Sequence, residues 1–455
     1  MPPFWTAYSL TLTETVGGTV LALPIALAGV GPIPGLILLI ILGLVNNLTI
    51  TGVVEAITRN GNMHYGTAYF GRLVGDYLGK PGSIILVPAL ILLNVTTLIA
   101  FYIGISISLA DITNISPLLW SALVFLLAVY FLRRESLNAT VATALVIGMI
   151  NILILIVLSL LAFPQIQAAN LKYVSPLFEG GQLFNPKILE LIFGVVLFAY
   201  FGHTSAGNAA KVVLRRDPGG YVILAMGIGT IHMSYGLYFQ VREALPLTAK
   251  KTTQFLVSMA PILLLFIVVE WMFLTGRESF SWFFGVLGVI LLPLLGGIFP
   301  MLMLVASRRK GDYTPRLSFG FLGNPLILTI IYLIYLGSVF VYGFFIWGDP
   351  AERFMAIGVG FVVLIVTYLV IRQGAFTPRV VIELKVETSD TNERATLNFV
   401  DAGKPLAGTF KFIYANEEKF ASGVEVEIPS YKQLRNIFIE FSPVSSKEIE
   451  IILTR

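Results

Sequence analysis

The chain has 455 residues, of which 56% are hydrophobic and only 12% charged, with a mean hydropathy of +0.85. Ordinary soluble domains carry roughly 25% charged residues, so this composition excludes a soluble globular protein and predicts an integral membrane one. The absence of cysteine excludes disulfides and thiolate metal sites. The net charge of +4 is unevenly spread: residues 1–375 hold 20 basic and 14 acidic side chains, residues 376–455 hold 10 and 12. A basic membrane part with a mildly acidic tail fits loops facing anionic lipid and not nucleic-acid binding.

Apolar runs long enough to span a bilayer recur near 8–29, 34–57, 83–109, 116–132, 140–163, 188–212, 221–241, 253–275, 281–307, 323–347 and 353–372. No basic n-region or cleavage site precedes the first run, which is therefore expected to be a retained span. That run contains Glu14-Thr-Val-Gly-Gly-Thr-Val-Leu-Ala-Leu-Pro24. Two glycines and a proline disfavour an uninterrupted helix, by roughly 1 and 3 kcal/mol per residue relative to Ala. Backbone released at membrane depth must be satisfied by protein, water or a ligand. One reading is a half-helix whose free N–H groups near Gly18–Leu21 hold an anion such as a carboxylate. The other is a Gly-lined contact between helices. The segment from Tyr65 to Leu78 has the pattern of an amphipathic helix lying at the interface. Asn46 and Asn47 in the second run are expected to form interhelical hydrogen bonds, and Glu270 to reach the interface from the end of its span.

The sixth run is interrupted by Gly202-His-Thr-Ser205. A polar cluster at depth marks a functional site, against the alternative that His203 bonds a neighbouring helix. Five spans separate it from the Gly17-Gly18 break, and paired breaks in two halves point to a transporter built from inverted repeats. The last eighty residues differ in kind. Val380–Glu387, Gly423–Ile428 and Ile437–Phe441 alternate apolar and charged residues, the period of half-buried strands. They predict a small all-β domain over 376–455, of five or six strands and sandwich-like, after a transmembrane domain over 1–375.

Thr15-Val-Gly-Gly-Thr-Val-Leu-Ala-Leu-Pro24 resembles the first-helix signature of the amino acid/auxin permease family, within the amino acid–polyamine–organocation superfamily. Phe198-Ala-Tyr-Phe-Gly-His-Thr-Ser205, followed by Arg215-Arg-Asp-Pro218, is similar to that family's sixth helix and the loop after it. Pro300 followed by Ser307-Arg-Arg-Lys310 is similar to the end of its tenth. The resemblance covers roughly residues 8–375 and not the β tail. It implies an all-α five-plus-five inverted-repeat fold with helices 1 and 6 unwound around an amino acid. It also implies symport driven by a proton or sodium gradient. Val16, Gly17, Gly18 and Thr19 would offer N–H groups to the substrate carboxylate. Tyr200, Gly202, His203 and Thr204 would offer carbonyls to its ammonium and shape the pocket, with Tyr102 an aromatic wall. Glu14 or His203 is the expected proton carrier, whereas Thr15 and Ser234 would suit a sodium site. No charged residue other than Glu14 accompanies the breaks, which favours neutral or aromatic substrates. No cofactor, metal site or enzymatic constellation is expected. The rival from another class is an amino-acid sensor signalling through the β domain.

Basic residues follow the second, fourth and sixth runs (Arg59, Arg72 and Lys80; Arg133 and Arg134; Lys211, Arg215 and Arg216). This predicts a cytoplasmic amino terminus in a plasma or inner membrane. Beyond the sixth run the parity fails. Eleven crossings would leave Arg242, Lys250, Lys251, Arg308, Arg309, Lys310 and Arg316 outside. One additional crossing near 219–225 would return all of them, and Met226–Ala244 resembles the family's eighth helix. The chain is therefore expected to lack the family's helix 7, with 221–241 superposing on the third helix of the first repeat. We predict that Gly18→Leu abolishes uptake without affecting membrane insertion, because the added side chain fills the substrate space. Near-normal uptake by a correctly inserted variant would remove the argument for a break at the glycines.

Overall fold

The structure is a computed structural model, described here for residues 27, 31–60, 70–134, 189–201, 203, 251–276, 288–312, 320–388, 393–401, 404–414, 417–428, 433–441 and 448–454, with scattered positions between 149 and 165. Local sequence sets the helix starts. Helix α1 (Pro32–Thr58) begins with proline at its first position, directly after Gly31. Helix α2 (Phe70–Thr113) is bent at Gly79, whose φ of 70° only glycine adopts freely. The part before the bend, 70–78, is helical as its amphipathic pattern predicts. Next come α3 (Pro117–Arg134), α4 (Leu189–Ala199) and α5 (Lys251–Thr275). A π turn (Leu294–Ile298) runs into α6 (Phe299–Lys310). Helix α7 (Pro325–Val341) starts at the Asn324 cap, whose side chain accepts from the Leu326 N–H at 2.9 Å. Helix α8 (Pro350–Arg372) starts at Asp349, which accepts from Ala351 and Glu352.

Six of the described helices are long and apolar enough to cross a membrane. Gly288–Lys310 is central, with 94% of its apolar window buried, whereas Pro350–Arg372 has only 28%. Peripheral helices turn Leu36, Ile40 and Leu44, or Phe354, Phe361 and Ile365, outward, as a lipid-facing surface requires. One core joins α1, α2, α4, the π turn, α6, α7 and α8. A second lies between α2 and α5, with α3 residues packed against it; there Ser121 donates to the Glu270 carboxylate. Glu270 of α5 is thus tied to the amino-terminal part of α3.

Helix α1 and the central helix run parallel. Gly52 lies against Met301 and Leu304, Glu55 pairs with Arg308, and the Asp312 N–H donates to the Arg59 carbonyl at 2.7 Å. Their carboxyl ends therefore lie on one side. Seven candidate runs, the third to the ninth, separate those ends in sequence, and seven crossings would leave them on opposite sides. The count of eleven crossings thus does not fit this pairing, which requires an even number in between. The segment 221–241, on which the expected superposition with the third helix rests, lies outside the described residues. The same side also holds Tyr77, donating to the Ala56 carbonyl at 3.1 Å, and Asn60, donating to Asp76.

The tail reaches that side too. Arg379 donates to the Lys310 carbonyl at 2.6 Å and pairs with Asp312 at 3.0 Å, while Arg309 donates to the Phe376 carbonyl. The strands are β1 (Arg379–Thr388), β2 (Glu393–Asp401), β3 (Lys404–Pro405), β4 (Gly408–Ile413), β5 (Glu418–Gly423), β6 (Glu425–Ile428), β7 (Asn436–Phe441) and β8 (Glu448–Thr454). One sheet has the order β3-β2-β1-β8, with β6 also on β2, and the other β5-β4-β7. Alternation predicts five or six strands, whereas the described residues form eight, of which β3 has only two residues, too short to show a period. Val380, Ile382, Leu397 and Phe399 of the first sheet meet Phe410 and Phe412 of the second in one core. Phe399 and Phe410 form an edge contact at 5.4 Å.

The chain has no native cysteine, so single introduced cysteines report sidedness without background. Gly320→Cys and Ser422→Cys are expected to react with an impermeant maleimide from one side of the membrane, and Gly348→Cys from the other. Labelling of positions 320 and 348 from the same side would overturn the crossing of α7.

Candidate functional site

Helix α4 stops inside the protein. Its last turn tightens, with the Tyr200 N–H bonding the Val196 carbonyl at 3.3 Å and the Phe201 N–H the Phe198 carbonyl at 3.1 Å. Regular helix ends at Ala199, slightly earlier than the Gly202–Ser205 interruption suggests. The carbonyl so released, on Tyr200, accepts a hydrogen bond from the Asn46 side chain of α1. Three residues further along both segments, Thr49 Oγ1 lies 3.0 Å from His203 Nε2 and donates to the Asn46 carbonyl at 2.8 Å. Asn46 and Thr49 lie one helical turn apart on one face of α1, and together they bracket the break.

His203 is 1% exposed. Its ring stacks on Phe201, with centroids 5.0 Å apart, and its Nδ1 makes no hydrogen bond. The central helix closes the other side at the π turn. A Cβ on Gly296 would lie 3.4 Å from His203 Cε1, an ordinary contact. A Cβ on Gly297 would fall 2.1 Å from the Tyr335 ring, so only glycine lets α7 approach there. The Tyr335 hydroxyl is buried and without a hydrogen-bond partner. π turns concentrate at functional sites, and this one borders a broken helix.

Of the residues expected at the site, Tyr200 and His203 are brought together, with Asn46 beside them. Tyr102 lies in the second core with Leu98, Met259 and Ile262, its hydroxyl buried and unpartnered. Phe101 touches both cores. Glu14, Thr15, Val16, Gly17, Gly18, Thr19, Gly202, Thr204 and Ser234 lie outside the described residues. Sequence reasoning missed Thr49, Gly296, Gly297 and Tyr335. The available signals were a threonine one turn after Asn46 and a second Gly-Gly pair at membrane depth. The frame is polar but uncharged. It can hold a broken backbone in register and present a buried imidazole, which suits binding of a small zwitterion or a proton.

Residues 3–207 match the family model described as transmembrane amino acid transporter protein. No curated protein and no solved structure matches. The match spans the break at Tyr200 and His203 and covers less than half of the chain; the described helices long and apolar enough to cross a membrane fit a multi-pass membrane protein.

The two glycines of the π turn differ sharply in available space. Gly297→Ala is expected to destabilise the protein by about 1–3 kcal/mol through overpacking against Tyr335, and Gly296→Ala by much less. Thermal unfolding of the purified variants checks this, and equal losses at the two positions would contradict the packing described.

Proposed function

We propose that this permease-family chain is a cation-coupled amino acid symporter working by alternating access, with substrate held where the first and sixth spans break. The observation that carries this reading is the buried end of α4. Its carbonyl at Tyr200 is caught by Asn46, and His203 is enclosed beside it. A carbonyl oxygen has two lone pairs, so Tyr200 retains one for a substrate ammonium. Gly202 and Thr204 contribute further carbonyls, and Val16–Thr19 hold the carboxylate with their N–H groups. Tyr102 lines the neighbouring wall. The uncharged surroundings favour neutral or aromatic amino acids. A proton carried by Glu14 or His203, or a sodium ion at Thr15 and Ser234, couples transport to the gradient.

The side shared by Arg59, Arg308, Arg309, Lys310 and Arg379 is the cytoplasmic one by the positive-inside rule. The β domain over 376–455 is then cytoplasmic, and so is the amino terminus, since one span precedes α1. A plasma or inner membrane is the expected location. The family match supports transport and adds nothing to the sensing alternative.

The decisive measurement is uptake of neutral amino acids by the purified chain in proteoliposomes, under imposed proton or sodium gradients. Accumulation that collapses when the driving gradient is dissipated is the expected result. Saturable binding without accumulation under either gradient would refute the symport reading.

A further inference from the structure

We propose that Thr49 is a positioning residue that fixes His203 as its Nε2–H tautomer and so reserves Nδ1 for the coupling proton. The inference rests on the transport reading above and concerns which atom of that site takes up the proton. Thr49 has one hydroxyl proton to share among its polar neighbours. The Asn46 carbonyl, 2.8 Å away, can only accept, and His203 Nε2 lies 3.0 Å away. With the proton given to the carbonyl, the Thr49 oxygen is left as an acceptor, and Nε2 must carry the hydrogen. A neutral imidazole holds one N–H, so Nδ1 is the bare nitrogen.

That nitrogen is buried and makes no hydrogen bond. Buried polar atoms are rarely left unsatisfied, and an exception calls for a functional reason. Among the described residues, the elements packed against the ring present Thr49 on α1, Phe201, the Gly296 backbone at the π turn and, next to it on α7, Tyr335. None carries a charge. The closest charged group on α1 is Glu55, already engaged by Arg59 and Arg308. A proton arriving at Nδ1 makes an imidazolium that still donates from Nε2 to Thr49. Loading and unloading therefore leave the clamp on the break intact. The bond at Thr49 holds the ring still, and the bare nitrogen does the exchanging.

The test reads the tautomer directly. The full chain has three histidines, His64, His203 and His232, so nitrogen NMR of the ¹⁵N-histidine-labelled protein in lipid resolves few signals, and His203→Gln assigns the relevant pair. Wild-type protein above neutral pH is expected to show a protonated Nε2 and a bare Nδ1 at His203. Thr49→Val should lose that single tautomer and displace the acid limb of the uptake profile by about one pH unit, a tenfold change in proton affinity. Thr49→Ser should retain both properties. An Nδ1–H tautomer in the wild type, or an unchanged tautomer and pH profile in Thr49→Val, overturns the proposal. Reading the wild-type tautomer needs no transport to occur. Failure of uptake alone would therefore count against the symport reading, with the tautomer judged separately.

Discussion

The carboxylate of Glu55 is the point to which one end of the helical part is tied. It is 4% exposed, yet it accepts from Arg59 at 3.0 Å and from Arg308 at 2.9 and 2.8 Å. The desolvation of buried charges roughly offsets their attraction, but removing one partner typically costs about 3–5 kcal/mol. Such a pair adds little net stability and strongly penalises any other arrangement. From it follow the parallel alignment of α1 with the central helix, the bond from Asp312 to the Arg59 carbonyl, and the reach of Asp312 to Arg379. The β domain is thereby joined to the helices by side chains as well as by the chain itself.

Deeper along α1 the recognition changes in kind. Asn46 and Thr49 grip the broken segment with neutral hydrogen bonds, and glycines at 296 and 297 bring the central helix and α7 up to it. Charge at one end and amides and hydroxyls at mid-depth suit what each level must do. An ion pair tolerates the wetter end, whereas a broken helix in the apolar interior needs partners that carry no net charge. One helix thus serves as a fixed rail for both levels.

Much of this was legible in the sequence because it is local. The described spanning helices overlap runs picked out by length, and strands β1, β6 and β7 coincide with the alternating segments. The conflict in crossing parity was visible in the basic clusters, and the parallel pairing of α1 with the central helix bears on it independently. What stayed hidden depends on contacts between distant residues. Glu55 carries no expectation from the sequence, because nothing local announces Arg308. Thr49 gained meaning only once it lay beside His203, and Gly297 only against Tyr335. On the candidate site, nine of the twelve expected residues, Glu14 to Thr19, Gly202, Thr204 and Ser234, fall outside the described residues, and three, Tyr102, Tyr200 and His203, are described.

The parallel pairing of β1 with β8 has a consequence for biosynthesis. β1 leaves the last spanning helix and becomes the inner strand of its sheet, with β2 on one edge and β8 on the other. Its partner β8 is translated only after all the other strands, and parallel pairing across so long a loop is slow to form. While a nascent chain emerges, β1 therefore waits at the membrane surface with an open edge, a template for unwanted pairing. Translation that halts before Glu448 would leave that edge permanently bare.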